Sequence, residues 1–134
     1  MENRVYHIAQ NQLLQVKNQI ATLQRRIWIA EIDGSNIKDW KDYAHAIEKA
    51  MRFPTPCDKV YDVYLDWIRD LDWLNSEEYL LIINNYGKFM MDDNDMKREI
   101  AKDFEEIILP WWSGEITQYV VDGKAKPFNV YLVD

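Results

Sequence analysis

Residues 79–83 read Tyr-Leu-Leu-Ile-Ile, an apolar run with no polar break, closed at once by Asn84 and Asn85. A run this short and this apolar fits a strand buried on both faces, and such a strand has to be covered by other elements on either side. It falls far short of the eighteen or so apolar residues that a membrane helix needs. The chain around it therefore has to supply a sheet and the layers that cover it.

Two further segments have strand character. RRIWIAEID, residues 25–33, ends at the turn pair Asp33-Gly34, and PFNVYLVD, residues 127–134, closes the chain. Helical periods lie between them. Asp39 is an N-cap candidate for a helix carrying Trp40, Tyr43, Ala44, Ile47, Ala50 and Met51, which must stop before Pro54. A second helix over residues 58–74 places Val60, Val63, Tyr64, Trp67 and Leu71 on one arc. The polar stretch MDDNDMKR can cap a third, with Ile100, Phe104, Ile107, Ile108 and Trp111 as its buried stripe. Pro110 is expected to end or kink that helix, and the turn pair Asp122-Gly123 precedes the last strand.

At the N-terminus Tyr6, Ala9, Leu13, Val16, Ile20, Leu23 and Ile27 recur at steps of three and four, the seam of an amphipathic helix or a short coiled coil. Either docking on the body or self-association through residues 6–27 would cover it. The element order is then α, β, α, α, β, α, β. Strands separated by helices imply parallel pairing, so the expected fold is α/β, a small three-stranded parallel sheet flanked by helices, with an extra N-terminal helix. Residues 1–25 form the helical extension and residues 26–134 the α/β domain, and 134 residues leave room for one such domain.

Charge divides the same way. Residues 1–26 carry four basic and one acidic side chain, whereas residues 27–134 carry twelve basic and twenty-two acidic, a net of −10. An acidic body repels nucleic acid and suits a basic partner, although the same charge also serves simple solubility. Cys57 is the sole cysteine and cannot form an internal disulfide, and MENRVYHIAQNQLLQ lacks the basic start and unbroken apolar core of a signal peptide, so the expected compartment is the cytoplasm.

Several chemistries lack their residues. The first strand-to-helix turn, IDGSNIKDW, has one glycine, whereas nucleotide phosphates need a glycine-rich approach. His7 and His45 fall in separate segments without metal-ligand spacing. In DDND the place of an EF-hand's fifth-position ligand is taken by Met96, so a helix cap is the better account. The pairs Asp62/Asp66 and Glu105/Glu106 could in principle act as general acid and base, but nothing beside them suggests a nucleophile, a metal cage or an oxyanion site. No cofactor, no metal and no enzymatic activity are expected.

What does call for explanation is the recurrence of aspartate at every fourth place in DKVYDVYLDWIRD: Asp58, Asp62, Asp66 and Asp70. Each like-charged pair at that spacing on a helix costs about 0.2–0.5 kcal/mol. Lys59 and Arg69 relieve part of this, which leaves a solvated, partly neutralised face as one reading. Tyr61 and Leu65, apolar residues at the edge of the buried arc beside the acids, favour the other: a binding surface for a cationic partner.

The stretches IDGSNIKDWKDYAHAIEKAMRFP, YDVYLDWIRDLDWL and PFNVYLVD, in this order, resemble the barstar family, intracellular inhibitors of a secreted ribonuclease. The resemblance covers residues 27–83 and, more loosely, 97–134, and leaves the N-terminal helix outside. It implies a three-layer fold in which a loop and the following helix plug a nuclease active site, the carboxylates meeting basic groups that otherwise hold RNA phosphate. By position it assigns partner binding to Asp62, Asp66 and Glu106; Asp58, Tyr61 and Leu65 join them from the reading of the helix face. The preceding loop departs from the family pattern of aromatic residues, glycine and asparagine, with Pro56, Cys57, Asp58 and Val60 in their place. The implied partner is a cognate basic nuclease toxin, bound without any reaction being performed.

Overall fold

A computed structural model describes residues 2–134. The strands are β1 (Val5–Ile8), β2 (Ile27–Asp33), β3 (Glu78–Asn84) and β4 (Phe128–Val133). The helices are α1 (Gln10–Ala21), α2 (Trp40–Met51), α3 (Tyr61–Ile68), α4 (Asn94–Asp103) and the single turn α5 (Ile116–Tyr119). All strand pairs are parallel, in the order β1-β4-β3-β2. The α/β class and the helix-covered parallel sheet are as expected, but the sheet has four strands and not three.

The apolar run is the reason for the layering. In β3, Tyr79, Leu81 and Ile83 point into the larger core with α2, α3 and α4, while Leu80 and Ile82 point the other way, against Leu13 of α1 and Val133. A strand alternates its side chains between faces, so an uninterrupted apolar strand needs a cover on each. Here α1 is one cover and α2 to α5 are the other, which makes three layers.

The fourth strand comes from the N-terminus and corrects the predicted helix over residues 6–27. Residues 5–8 pair with residues 130–133 of β4, and Tyr6 stacks on Tyr131 with ring centroids 5.0 Å apart. The helix begins only after Ala9, and Ile27 already opens β2. Tyr6 and Ala9 fit the helical seam by period alone; the vacant edge of β4 decides otherwise. Of the seam, Leu13 is buried against the sheet with Ile20 packed beside it, while Leu23, like Leu14 outside the seam, stays exposed.

The start of α2 is capped as its sequence indicates, the Asp39 carboxylate accepting from the amide of Asp42 at 3.0 Å, and the helix stops at Arg52 in the left-handed region. Asp93 caps α4 through the amide of Met96, so the DDND stretch is a cap. Pro110 does not end the helical run after α4. Wider π-turns at Phe104–Ile108 and Trp111–Glu115 flank it and carry the chain on to α5. Proline cannot donate to the ladder and its ring crowds the carbonyl four residues back, which the wider turns accommodate. Among the described residues no helix is long and apolar enough to cross a membrane.

Candidate functional site: the acidic face of α3

Helix α3 is shorter than the predicted 58–74. Asp58 lies in the loop before it, where its carbonyl accepts the indole N–H of Trp40 at 2.7 Å, and the chain leaves the helix at Arg69. Leu71 then adopts φ 57°, so Asp70 cannot continue the helical row. Of the four aspartates only Asp62 and Asp66 share the helix, one turn apart. The buried arc is also rotated from the predicted one: Tyr64, Ile68 and Leu71 are buried, Val63 and Trp67 only partly, and Val60 is exposed.

Both remaining aspartates face solvent. The Asp66 side chain is 73% exposed and meets Arg69 at 3.5 Å, a solvent-exposed ion pair of the kind that contributes little. Tyr61 and Leu65, half-buried, form the apolar margin of the same face. Tyr61 is held on three sides, its ring 5.0 Å from Trp40 and 5.4 Å from Tyr64, and its hydroxyl donating to Asp103 Oδ2 at 2.5 Å. Burial first, and then the Asp103 carboxylate, push the Tyr61 hydroxyl far above its ordinary range, so it stays a donor.

That bond brings α4 to the edge of the α3 face. Asp103, with 5% of its surface exposed, sits one turn after Glu99, and its carboxylate raises the Glu99 pKa above the ordinary carboxylate range through a shared hydrogen bond and like charge. Glu106 follows on the π-turn, exposed, with Lys102 Nζ 3.9 Å away. The structure thus sets Asp103, with Glu99 one turn before it, beside the margin of α3 marked by Tyr61, while Glu106 lies further along on the π-turn. Asp103, Glu99 and Trp40 were not picked out from the sequence. Asp103 had a signal there, an acid at the border of the apolar stripe of Ile100, Phe104 and Ile107.

The loop that leads into α3 is tied to α2. The amide of Cys57 donates to the Glu48 carboxylate at 2.6 Å, and Cys57 itself is buried, its sulfur 3.9 Å from the Ala44 carbonyl. Burial, then the nearby Glu48 carboxylate, push its thiol up to about 12. The sequence left the place of Cys57 open; it packs inside. Among the described residues no three His, Cys, Asp or Glu side chains gather as a metal cage. The one glycine of the β2–α2 turn, Gly34, is used for packing: a Cβ there would stand 2.7 Å from the Asn84 carbonyl oxygen and 2.8 Å from that of Asn85.

No curated protein matches the chain. Among solved structures, the ORC2 protein of Aeropyrum pernix, described as ADPNP-ADP complexes, aligns over 98% of this chain with a TM-score of 0.61 and 13% identity. The chain spans 35% of that protein's length, and at this identity the likeness is one of fold alone. A family model described as Barstar (barnase inhibitor) matches residues 28–132, from β2 to β4 and across α3. With most of its length under that match, the chain belongs to the barstar family, whose fold is of the ribonuclease-inhibitor type.

Proposed function

We propose that this protein is an immunity protein that binds a cognate basic (ribo)nuclease toxin and occludes its active site with the acidic face of α3. Proteins of the barstar family are non-catalytic inhibitors with a ribonuclease partner. The observation that carries the reading here is the pair Asp62 and Asp66, exposed one turn apart on a helix that pays for their repulsion with no strong internal counter-ion. The positive groups of a nuclease would relieve that repulsion on binding, the two carboxylates standing where RNA phosphates otherwise sit. Tyr61 and Leu65 would supply apolar contact at the centre, and Glu106 a further acid at the margin; Asp58, ahead of the helix, would lie at the rim. Residues 1–25 are an addition to the family domain of residues 26–134, and the compartment is the cytoplasm.

The test is co-expression with a basic nuclease of the kind such inhibitors bind, taken from beside its gene where one is encoded there, comparing wild type with a folded Asp62→Ala/Asp66→Ala variant. Growth rescue and a stable complex with wild type, both lost in the variant, are expected. Rescue by both proteins would keep the inhibitor and reject this face. A different reading, an assembly module that self-associates through residues 6–27, draws on the exposure of Leu14 on α1 and of Leu23 just after it. It predicts an oligomer that Leu14→Glu dissociates, with no effect of the aspartate variant.

A further inference from the structure

Strand β2 is an outer strand of the sheet: β3 pairs with one side, and among the described residues no strand pairs with the other. The Arg26 carbonyl accepts the Glu77 and Glu78 amides, so the backbone groups of Arg26 and of every second residue after it face β3. Those of Ile27, Ile29, Glu31 and Asp33 therefore face outward. Such an edge is a template for another strand unless it is blunted by proline, a bulge or charged side chains; the charges of β2 are already engaged, Glu31 by Lys17 at 2.9 Å and Asp33 by the Asn85 amide at 2.8 Å. Over seven residues β2 has no proline, and Ile29 is 41% exposed. Along this edge runs a groove of about 650 Å³ whose far wall is α2, with Ala46 and Ala50 leaving room between Asp42, His45 and Lys49.

We infer that this edge pairs with β2 of a second copy of the chain, in an antiparallel two-fold arrangement centred on Ile29. The argument is self-complementarity in two elements at once. Seating Ile29 opposite Ile29 of the second copy joins outward-facing backbone groups on both strands and buries the exposed side chain against itself. It sets Ile27 opposite Glu31 of the second copy, and Arg25, just before the strand and paired at 2.7 Å with Glu78 of its own chain, opposite Asp33 at the end of the other. Moving the two-fold centre by two residues on each chain opposes Glu31 to its own copy, which like charge disfavours. The same two-fold axis runs the two α2 helices antiparallel. Asp42 of each then approaches Lys49 of the other, with the small Ala46 between them permitting close approach. A two-fold interface requires one patch to complement itself, and both the strand and the helix do.

The surface shares Arg25 and Ile27 with residues 6–27 but neither Leu14 nor the Asp62–Asp66 pair, so its test is independent of the proposed function. Sedimentation equilibrium of the full chain over a wide concentration range is expected to show monomer and dimer. Ile29→Pro removes an outward N–H that the β3 ladder does not use, and should yield a folded monomer by circular dichroism. In case proline disturbs β2, Ile29→Cys is the second probe: hydrogen-bonded antiparallel partners lie about 5.5 Å apart at Cα, within disulfide reach, so oxidation should cross-link the chain to itself. Leu14→Glu should leave the dimer intact. A wild-type monomer at every concentration, or a dimer that Ile29→Pro leaves intact while Ile29→Cys fails to cross-link, would overturn the inference.

Discussion

The Tyr61 hydroxyl donates a 2.5 Å hydrogen bond to Asp103 Oδ2 and so links α3 to α4 across 42 residues of sequence. The acceptor is almost fully buried, and this bond holds the acidic helix against α4, which carries Glu99 and runs on into the π-turn of Glu106.

Removing that donor is expected to be costly. Tyr61→Phe keeps the ring and its packing on Trp40 but strands a buried carboxylate, and hydrogen bonds to charged groups contribute about 1.5–3 kcal/mol. Urea unfolding should show a lower midpoint with an unchanged slope. An unchanged midpoint would mean the bond adds nothing to stability.

The exposed acids should behave in the opposite way. Asp62→Ala and Asp66→Ala should leave thermal stability within about 0.5 kcal/mol, because neither side chain is packed. Against the nuclease partner each should weaken binding by about 2 kcal/mol or more, roughly thirtyfold, and Asp58→Ala by less, since Asp58 precedes the helix. Surface-plasmon kinetics should also show association slowing as salt rises. Equal effects from all three substitutions would reject the helix face as the centre of contact.

Tyr43 and Tyr64 share a hydrogen bond of 2.8 Å between hydroxyls that are fully buried. Either single change to Phe leaves the other hydroxyl without its partner, at about 1–3 kcal/mol. The double variant should be less destabilised than the sum of the singles, a coupling read from a double-mutant cycle in urea. Strict additivity would show that the two hydroxyls do not act as a pair.

Cys57 gives a pH-dependent prediction. Its thiol is pushed up to about 12 by burial and then by the Glu48 carboxylate, against roughly 8.5 for a free cysteine. The native protein should therefore react with a thiol reagent at pH 8 only through opening, at a rate that climbs with added urea. Because the unfolded chain ionises first, stability should fall as pH rises above about 8.5 toward the folded value. Rapid labelling without urea would place the thiol at the surface instead.

The elements whose signals are local were legible in the sequence. An unbroken apolar strand at residues 79–83 demanded cover on both faces, Asp39 and the stretch MDDNDMKR announced helix starts, and the core-facing residues of α2 kept their period. The pair Asp62 and Asp66 was legible for the same reason, since a four-residue spacing and one turn of helix are properties of the segment itself.

Where the outcome depended on a distant partner, the sequence alone was ambiguous. Val5–Ile8 becomes a strand because β4, more than a hundred residues away, offers an open edge, and nothing within residues 5–8 reports that edge. Helix α3 is shortened because Trp40 and Glu48 of α2 tie down the loop before it and Leu71 turns left-handed after it, which removes Asp58 and Asp70 from the acidic row. Asp103 meets Tyr61 only once two helices pack. Local periodicity determined which segments could be helix or strand and which carboxylates share a turn. Tertiary structure decided the sheet's fourth strand and the acids gathered at α3, because hydrogen bonds at sheet edges and between buried side chains are made with partners the local sequence does not contain.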